Sequence, residues 1–264
     1  MGGTEAIWWA ACLLFGVSFL AILLVQQFDP RLIEGVSVWA KPAKFAISTA
    51  IHYATLALVV RLLSDSWQYS NLLFWFAAFS VLWAVLEVAY IAIQGGRAMP
   101  SHFNVSTSFY ATMYSLMAFG AVMVILPAAV VGTLAALDDQ SVMSLPLRVA
   151  IACGLIGGTV LTLVTAFRLG GNMGPFVGTE LLDAARMPIT GWSLTVGDLR
   201  PAHFLSTHMI QVIPMFGIVA GRYLQVNWAV TAIVIFTLLW TLFTIRIFLI
   251  ALNGRPFQEI FGLH

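Results

Sequence analysis

Seven long apolar runs take up most of this chain and leave little else to fold. They cover roughly 6–26, 42–63, 71–94, 105–136, 147–168, 201–221 and 227–252. Each is at or above the about 20 residues that a helix needs to cross a bilayer. Backbone N–H and C=O groups have no water to bond inside lipid, so each run must satisfy its own backbone as a helix. The chain is 61% hydrophobic and 9% charged, against about 25% charged residues in a soluble domain. No single water-soluble core absorbs that much apolar surface. These features predict an all-α polytopic integral membrane protein with seven transmembrane helices, forming one domain over 1–264 with the lipid bilayer as its first partner. Pro127, inside the long fourth run, predicts a tilt or kink there.

The basic residues orient the chain. With the N-terminus outside, nine of the 12 basic residues fall on the inner side (Arg31, Lys41, Lys44, Arg97, Arg168, Arg186, Arg200, Arg246, Arg255), and three, Arg61, Arg148 and Arg222, fall outside. The positive-inside rule selects this arrangement, with a cytoplasmic C-terminus, which in a bacterium means the inner membrane. The N-terminal residues lack the basic segment of a cleaved signal, so the first run is expected to be retained. A net charge of +1 gives no footprint for nucleic acid. Cys12 and Cys153 lie in apolar runs and form neither a disulfide framework nor a CxxC motif. The longest loop, about 169–200, reads as cytoplasmic, glycine-rich and flexible, with a short surface helix at 179–187. Tryptophans such as Trp8, Trp9, Trp39 and Trp67 lie near run ends and read as an interfacial belt.

One phrase recurs where three of the runs begin. It is Pro-Ala-Lys-Phe-Ala-Ile-Ser-Thr at 42–49, Pro-Ser-His-Phe-Asn-Val-Ser-Thr at 100–107, and Pro-Ala-His-Phe-Leu-Ser-Thr at 201–207. Proline suits a first helical turn, and Ser and Thr back-bond to the helix, so part of the likeness is ordinary helix-start grammar. That grammar does not account for Lys44, His102 and His203 at one offset, each followed by Phe. The phrase therefore predicts one lone span followed by three repeated helical hairpins (spans 2–3, 4–5 and 6–7). Spans 2, 4 and 6 would then open on one face. Their N-termini, with Lys41, Lys44, Arg97, His102, Arg200 and His203, would form an anion-attracting vestibule. The plainer alternative is a set of interfacial anchors that reach toward lipid headgroups.

A second set of residues lies deeper. His52, Glu87 and His208 sit eight to ten residues from a basic anchor, about 12–15 Å at 1.5 Å per residue. Ionisable groups at that depth are costly and point to function. Lys44, Ser48 and His52 follow helical spacing, as do Glu87, Tyr90, Gln94 and Arg97. Gln211, Tyr90, Gln94 and Arg246 are the expected supporting residues, with Arg246 as a partner for Glu87. The plainer alternative is polar glue between helices.

Three functions fit these residues. In the first, His52 and His208 ligate haem b, with the propionates near Lys44, Arg97, His102, Arg200 or His203. A variant of this has His52, His208 and Glu87 hold a divalent transition metal. Either makes the chain an electron-transfer or oxidoreductase protein with a quinone or another lipid-soluble substrate. The second is a proton-coupled transporter of a small organic anion. The third is a non-catalytic membrane assembly subunit. A homo-oligomer or a larger membrane complex is compatible with each.

Overall fold

The computed structural model describes residues 2–33, 35–181 and 183–262. Eight α-helices follow in order: α1 (Gly3–Gln26), α2 (Ala40–Val60), the short α3 (Asp65–Gln68), α4 (Asn71–Gly96), α5 (Ser108–Leu137), α6 (Leu145–Gly171), α7 (Arg200–Tyr223) and α8 (Val226–Leu252). Seven of these, all but α3, are long and apolar enough to cross a membrane. The chain is an all-α, multi-pass integral membrane protein. Among the described residues, strands pair in two small antiparallel ribbons, β1 (Leu32–Ile33) with β2 (Val36–Ser37) and β3 (Phe176–Val177) with β4 (Gly197–Asp198). The helix ends fall within three residues of those read from hydropathy, because lipid thickness fixes span length.

The chain divides into two compact units, Met1–Met143 and Ser144–His264. In the first, α1 packs chiefly on α2 and α4 on α5, and α4 also packs on α1 and α2. Its core includes Trp8, Phe15, Tyr53, Leu56 and Ile91. The Phe15 and Tyr53 rings stack with centroids 6.1 Å apart. Asp138, buried just past α5, accepts the Ser64 backbone N–H at 2.7 Å and so ties the α2–α3 turn to the end of α5.

In the second unit, α6 and α7 pack most closely and α8 packs on both. Small residues set the α6–α7 distance. A Cβ added at Gly158 would lie 2.7 Å from Ile210 Cγ1, and one at Gly217 would lie 2.2 Å from Ala150 Cβ. Close backbone approach through small residues is the usual basis of helix association in lipid, where burial of apolar surface supplies little drive. Phe216 and Phe236 stack at 4.3 Å, and Trp240 Nε1 donates to the Leu205 carbonyl at 3.0 Å, which fixes α8 on α7.

Two expectations from the sequence are corrected. The expected hairpins of spans 2–3 and 6–7 both pack, as α2 on α4 and α7 on α8, and α1 packs on α2 and α4. The second copy of the phrase, 100–107, lies outside any helix, although span 4 was expected to open at 105. It forms the loop ahead of α5, and its last residue, Thr107, caps that helix by accepting the Tyr110 N–H at 3.3 Å. The other two copies lie inside the first turns of α2 and α7.

The second correction concerns 179–187, where the described residues form turns and a single bridge, Arg186 to Ser193, and no helix. Buried Asp198 gathers the Ser193 N–H and the Arg200 N–H at 2.9 Å each, together with the Arg200 guanidinium. That node holds the segment as a folded loop.

Candidate functional site

The polar groups of the first unit converge near the end of α4. Glu87 lies on the buried stripe of α4 that also carries Ser80, Ala84, Ile91 and Gln94. The Glu87 side chain is 9% exposed, and its Oε1 is 4.0 Å from His102 Nε2. That gap is too long for a hydrogen bond and wide enough to ask for a bridging group. Gly120 of α5 faces the carboxylate, where an added Cβ would stand 3.8 Å from Glu87 Oε2 and 3.0 Å from the Trp83 ring. Glycine there leaves the carboxylate room.

His102 belongs to the loop 97–107, whose backbone is strained. Ala98 and Phe103 have φ of 52° and 59°, a region that non-glycine residues enter at a cost and that often marks functional sites. Aromatic rings hold the imidazole: Phe45 at 5.6 Å and Phe103 at 6.1 Å, with Tyr114 beyond Phe103 at 5.7 Å. Burial, and after it the charge of Lys41, push the His102 imidazole down to about 3. It is therefore neutral at pH 7, and its contact with Glu87 is not an ion pair. Its Nδ1 hydrogen-bonds Ser101 Oγ at 3.1 Å, so the ring stands between that hydroxyl and the Glu87 carboxylate. Lys41, in the first turn of α2, lies over the Phe45 ring at 5.8 Å, and its charge reaches both Glu87 and His102.

The other site residues distribute as follows. Lys44 and Ser48 are exposed, while His52, further along the same stripe of α2, is buried. Lys41 is the cation near the buried acid. His52 Nε2 contacts the Val124 carbonyl at 3.0 Å, three residues before Pro127, where the helix ladder is interrupted. Arg97 donates to Gln94 Oε1 at 3.2 Å and to Tyr110 Oη at 3.3 Å, which bridges the end of α4 to the start of α5. Tyr90 is half-buried one turn from Glu87.

In the second unit, Arg200 is bound to Asp198 and also donates to the Gly191 carbonyl at 2.8 Å. Its charge is matched within its own loop. His203 Nδ1 is 3.0 Å from Thr165 Oγ1. His208 packs its ring 4.2 Å from Phe204 and shares a side-chain hydrogen bond with Gln211. Arg246, expected beside Glu87, is an exposed residue of α8 in the second unit, whereas Glu87 finds His102 within the first. His52 and Glu87 belong to the first unit and His208 to the second, so neither unit by itself assembles the expected ligand set. Among the described residues, no three of His, Cys, Asp or Glu form a group able to hold a metal ion.

Sequence reasoning missed the buried pair Tyr53 Oη–Ser80 Oγ, 2.9 Å apart. The seven-residue spacing of Ser80, Glu87 and Gln94, which places them on one helix face, was the available signal. It also read Lys41 as an anchor like any other, since span 2 starts with two lysines and only packing separates their faces. No family model, no curated protein and no solved structure matches this chain.

Proposed function

We propose that this protein is a proton-coupled transporter of a small organic anion, with Glu87 as its proton carrier. The observation that carries this reading is the buried Glu87 carboxylate, 4.0 Å from His102 Nε2 and within the field of Lys41. A carboxylate inside a membrane bundle is costly unless it is paired or works. Here His102 faces it across 4.0 Å and the charge of Lys41 reaches it. A carboxyl set between a cation and an imidazole has a neighbour suited to each of its protonation states, which is the arrangement a proton carrier needs.

In the reaction we envisage, a proton binds Glu87 and neutralises the carboxylate, and the anion binds within the field of Lys41. The proton leaves by way of His102: a bridging water carries it across the 4.0 Å gap to Nε2 while Nδ1 releases its own proton toward Ser101. The step moves one proton and one anion and leaves His102 as the Nε2–H tautomer, which loses that proton and regains one on Nδ1 before the next cycle. The charge distribution of nine inner against three outer basic residues supports an orientation with the N-terminus outside and Lys41 and His102 toward the cytoplasm.

The test is uptake of radiolabelled acetate, lactate and succinate into proteoliposomes under an inward proton gradient. Glu87→Gln is expected to lower gradient-driven uptake at least tenfold while the protein stays folded. Wild-type uptake in Glu87→Gln, or no uptake of any of the three by the wild type, overturns the reading.

One observation supports a second reading, a haem- or metal-binding redox protein acting on a quinone-like substrate. Thr165 Oγ1 lies 2.9 Å from the Leu161 carbonyl, 3.1 Å from the Thr162 carbonyl and 3.0 Å from His203 Nδ1. When its one hydrogen goes to a carbonyl it accepts from His203 Nδ1–H, and that tautomer keeps a lone pair on Nε2, as a ligating histidine requires. Purified protein would then show a Soret band or stoichiometric metal. A colourless, metal-free and folded preparation excludes it.

A further inference from the structure

Glu87 is one of several buried polar groups in the first unit with incomplete partners. Ser80, Glu87 and Gln94 repeat every seven residues on the buried stripe of α4, so about 10.5 Å of helix separates each from the next. The Trp83 indole N–H, between Ser80 and Glu87, is buried without a hydrogen-bond partner, and so is Gln94 Nε2. At the other end of the unit, where α1 begins, α2 ends and α4 begins, Glu5 is 5% exposed, and Thr4 Oγ1 and Trp8 Nε1 are also buried without partners. Tyr53 and Ser80, 0% and 1% exposed, share their hydroxyl contact between these two ends.

The levels follow from helix rise. Trp8 is about 7.5 Å into α1, Tyr53 about 10 Å from the end of α2, Ser80 about 13.5 Å into α4, and Glu87 about 24 Å into α4. No step from one level to the next exceeds about 11 Å. Each unpartnered buried donor costs about 1–3 kcal/mol if left dry. A bundle selected only for packing would replace them with apolar residues. Water with several polar partners satisfies such groups.

We propose that a hydrogen-bonded water path crosses the first unit from Glu5 and Trp8 to Glu87, with the Tyr53–Ser80 hydroxyl pair as its middle station. This rests on the transport reading and names the route by which the proton reaches the carrier. Each hydroxyl accepts a proton on its lone pair and releases its own, so the relay leaves no charge on Tyr53 or Ser80. The charged and titratable groups facing Glu87 at the far end are Lys41 from α2 and His102 from the loop ahead of α5, and α5 itself presents Gly120. At the near end, Glu5 meets the Trp9 indole N–H at 3.4 Å.

The test is proton entry into pyranine-loaded proteoliposomes under an inward proton gradient with lactate outside, so that proton and anion enter together, with the leak of protein-free vesicles subtracted. The wild type is expected to acidify the lumen, and Tyr53→Phe and Ser80→Ala to slow acidification at least tenfold. Ser80→Thr, which keeps the hydroxyl, is expected to stay near the wild-type rate, as is Tyr223→Phe on the exposed end of α7. Wild-type vesicles that hold the gradient overturn the path. So do wild-type rates in Tyr53→Phe and Ser80→Ala, or equal losses in Ser80→Ala and Ser80→Thr, which would mark a packing effect. None of these results alters carboxylate uptake by Glu87→Gln, which tests the transport reading separately.

Discussion

Asp198→Ala lowers the thermal midpoint of the detergent-solubilised protein by about 10 °C, the shift expected for a loss of about 3–5 kcal/mol in a chain of this size. Asp198 is completely buried and accepts from the Ser193 N–H and the Arg200 N–H at 2.9 Å each, and from the Arg200 guanidinium at 2.6 Å. Removing one member of a buried pair strands the rest: a guanidinium without its counter-charge and two backbone donors without an acceptor. The carboxylate also lies at the start of α7, where the positive end of the helix dipole favours an anion. Asp198→Asn keeps an acceptor for one backbone N–H but leaves the Arg200 charge unmatched, so its loss should be about half as large. The arginine is further held over the Phe176 ring at 4.9 Å, and intrinsic fluorescence of the nearby Trp192 reports whether the loop has opened. A midpoint shift below about 2 °C in Asp198→Ala would show that the node does not hold the loop.

Gly217→Ala destabilises the second unit by about 2–3 kcal/mol, and Ala150→Gly in the same chain restores most of it. The first half follows from overpacking. The new Cβ would stand 2.2 Å from Ala150 Cβ, whereas carbon atoms rest about 3.5–4.0 Å apart. The helices must separate or bend, at about 1–3 kcal/mol or more. The second half follows because the obstruction is a single methyl group on the facing helix, with backbone only at 3.7 Å. Ala150→Gly alone costs about 1 kcal/mol in helix propensity, so the double variant recovers less than the full amount. A double-mutant cycle on the thermal midpoint measures the coupling. Additive effects would mean that α6 and α7 are not held at this distance by the Gly217–Ala150 contact.

The spans were legible in the sequence because hydropathy over about 20 residues is a local property with one structural answer in lipid. The positions of His52 and Glu87 along their helices were legible for the same reason, since helix rise converts residue number to distance. The face on which a residue lies was less so. Lys41 and Lys44 are three residues apart on one helix, yet Lys41 is half-buried with its charge reaching Glu87, while Lys44 lies on the exposed side. The interior stripe of α2 is chosen by what α1, α4 and α5 present to it, and no local pattern states that. The phrase at 100–107 carried the same words as its two counterparts and formed a loop. Only that copy lies outside a helix, and its Phe103 takes a left-handed backbone.

Arg200 makes the same point with charge. Its sequence neighbours suggested a vestibule, but Asp198, two residues before it, takes its charge into a loop whose other members lie up to nine residues away. By itself the sequence determined that this is a multi-pass helical membrane protein, which segments form its long apolar helices, and that acid and imidazole side chains fall within them. These follow from solvent and helix geometry, which act on each segment alone. The tertiary structure decided which of those groups meet: Glu87 with His102 and Lys41, Tyr53 with Ser80, and Arg200 with Asp198. Such encounters depend on which faces pack together, and in lipid that is governed by the fit of small residues across helices, as between Gly217 and Ala150, more than by the hydropathy that marks the spans.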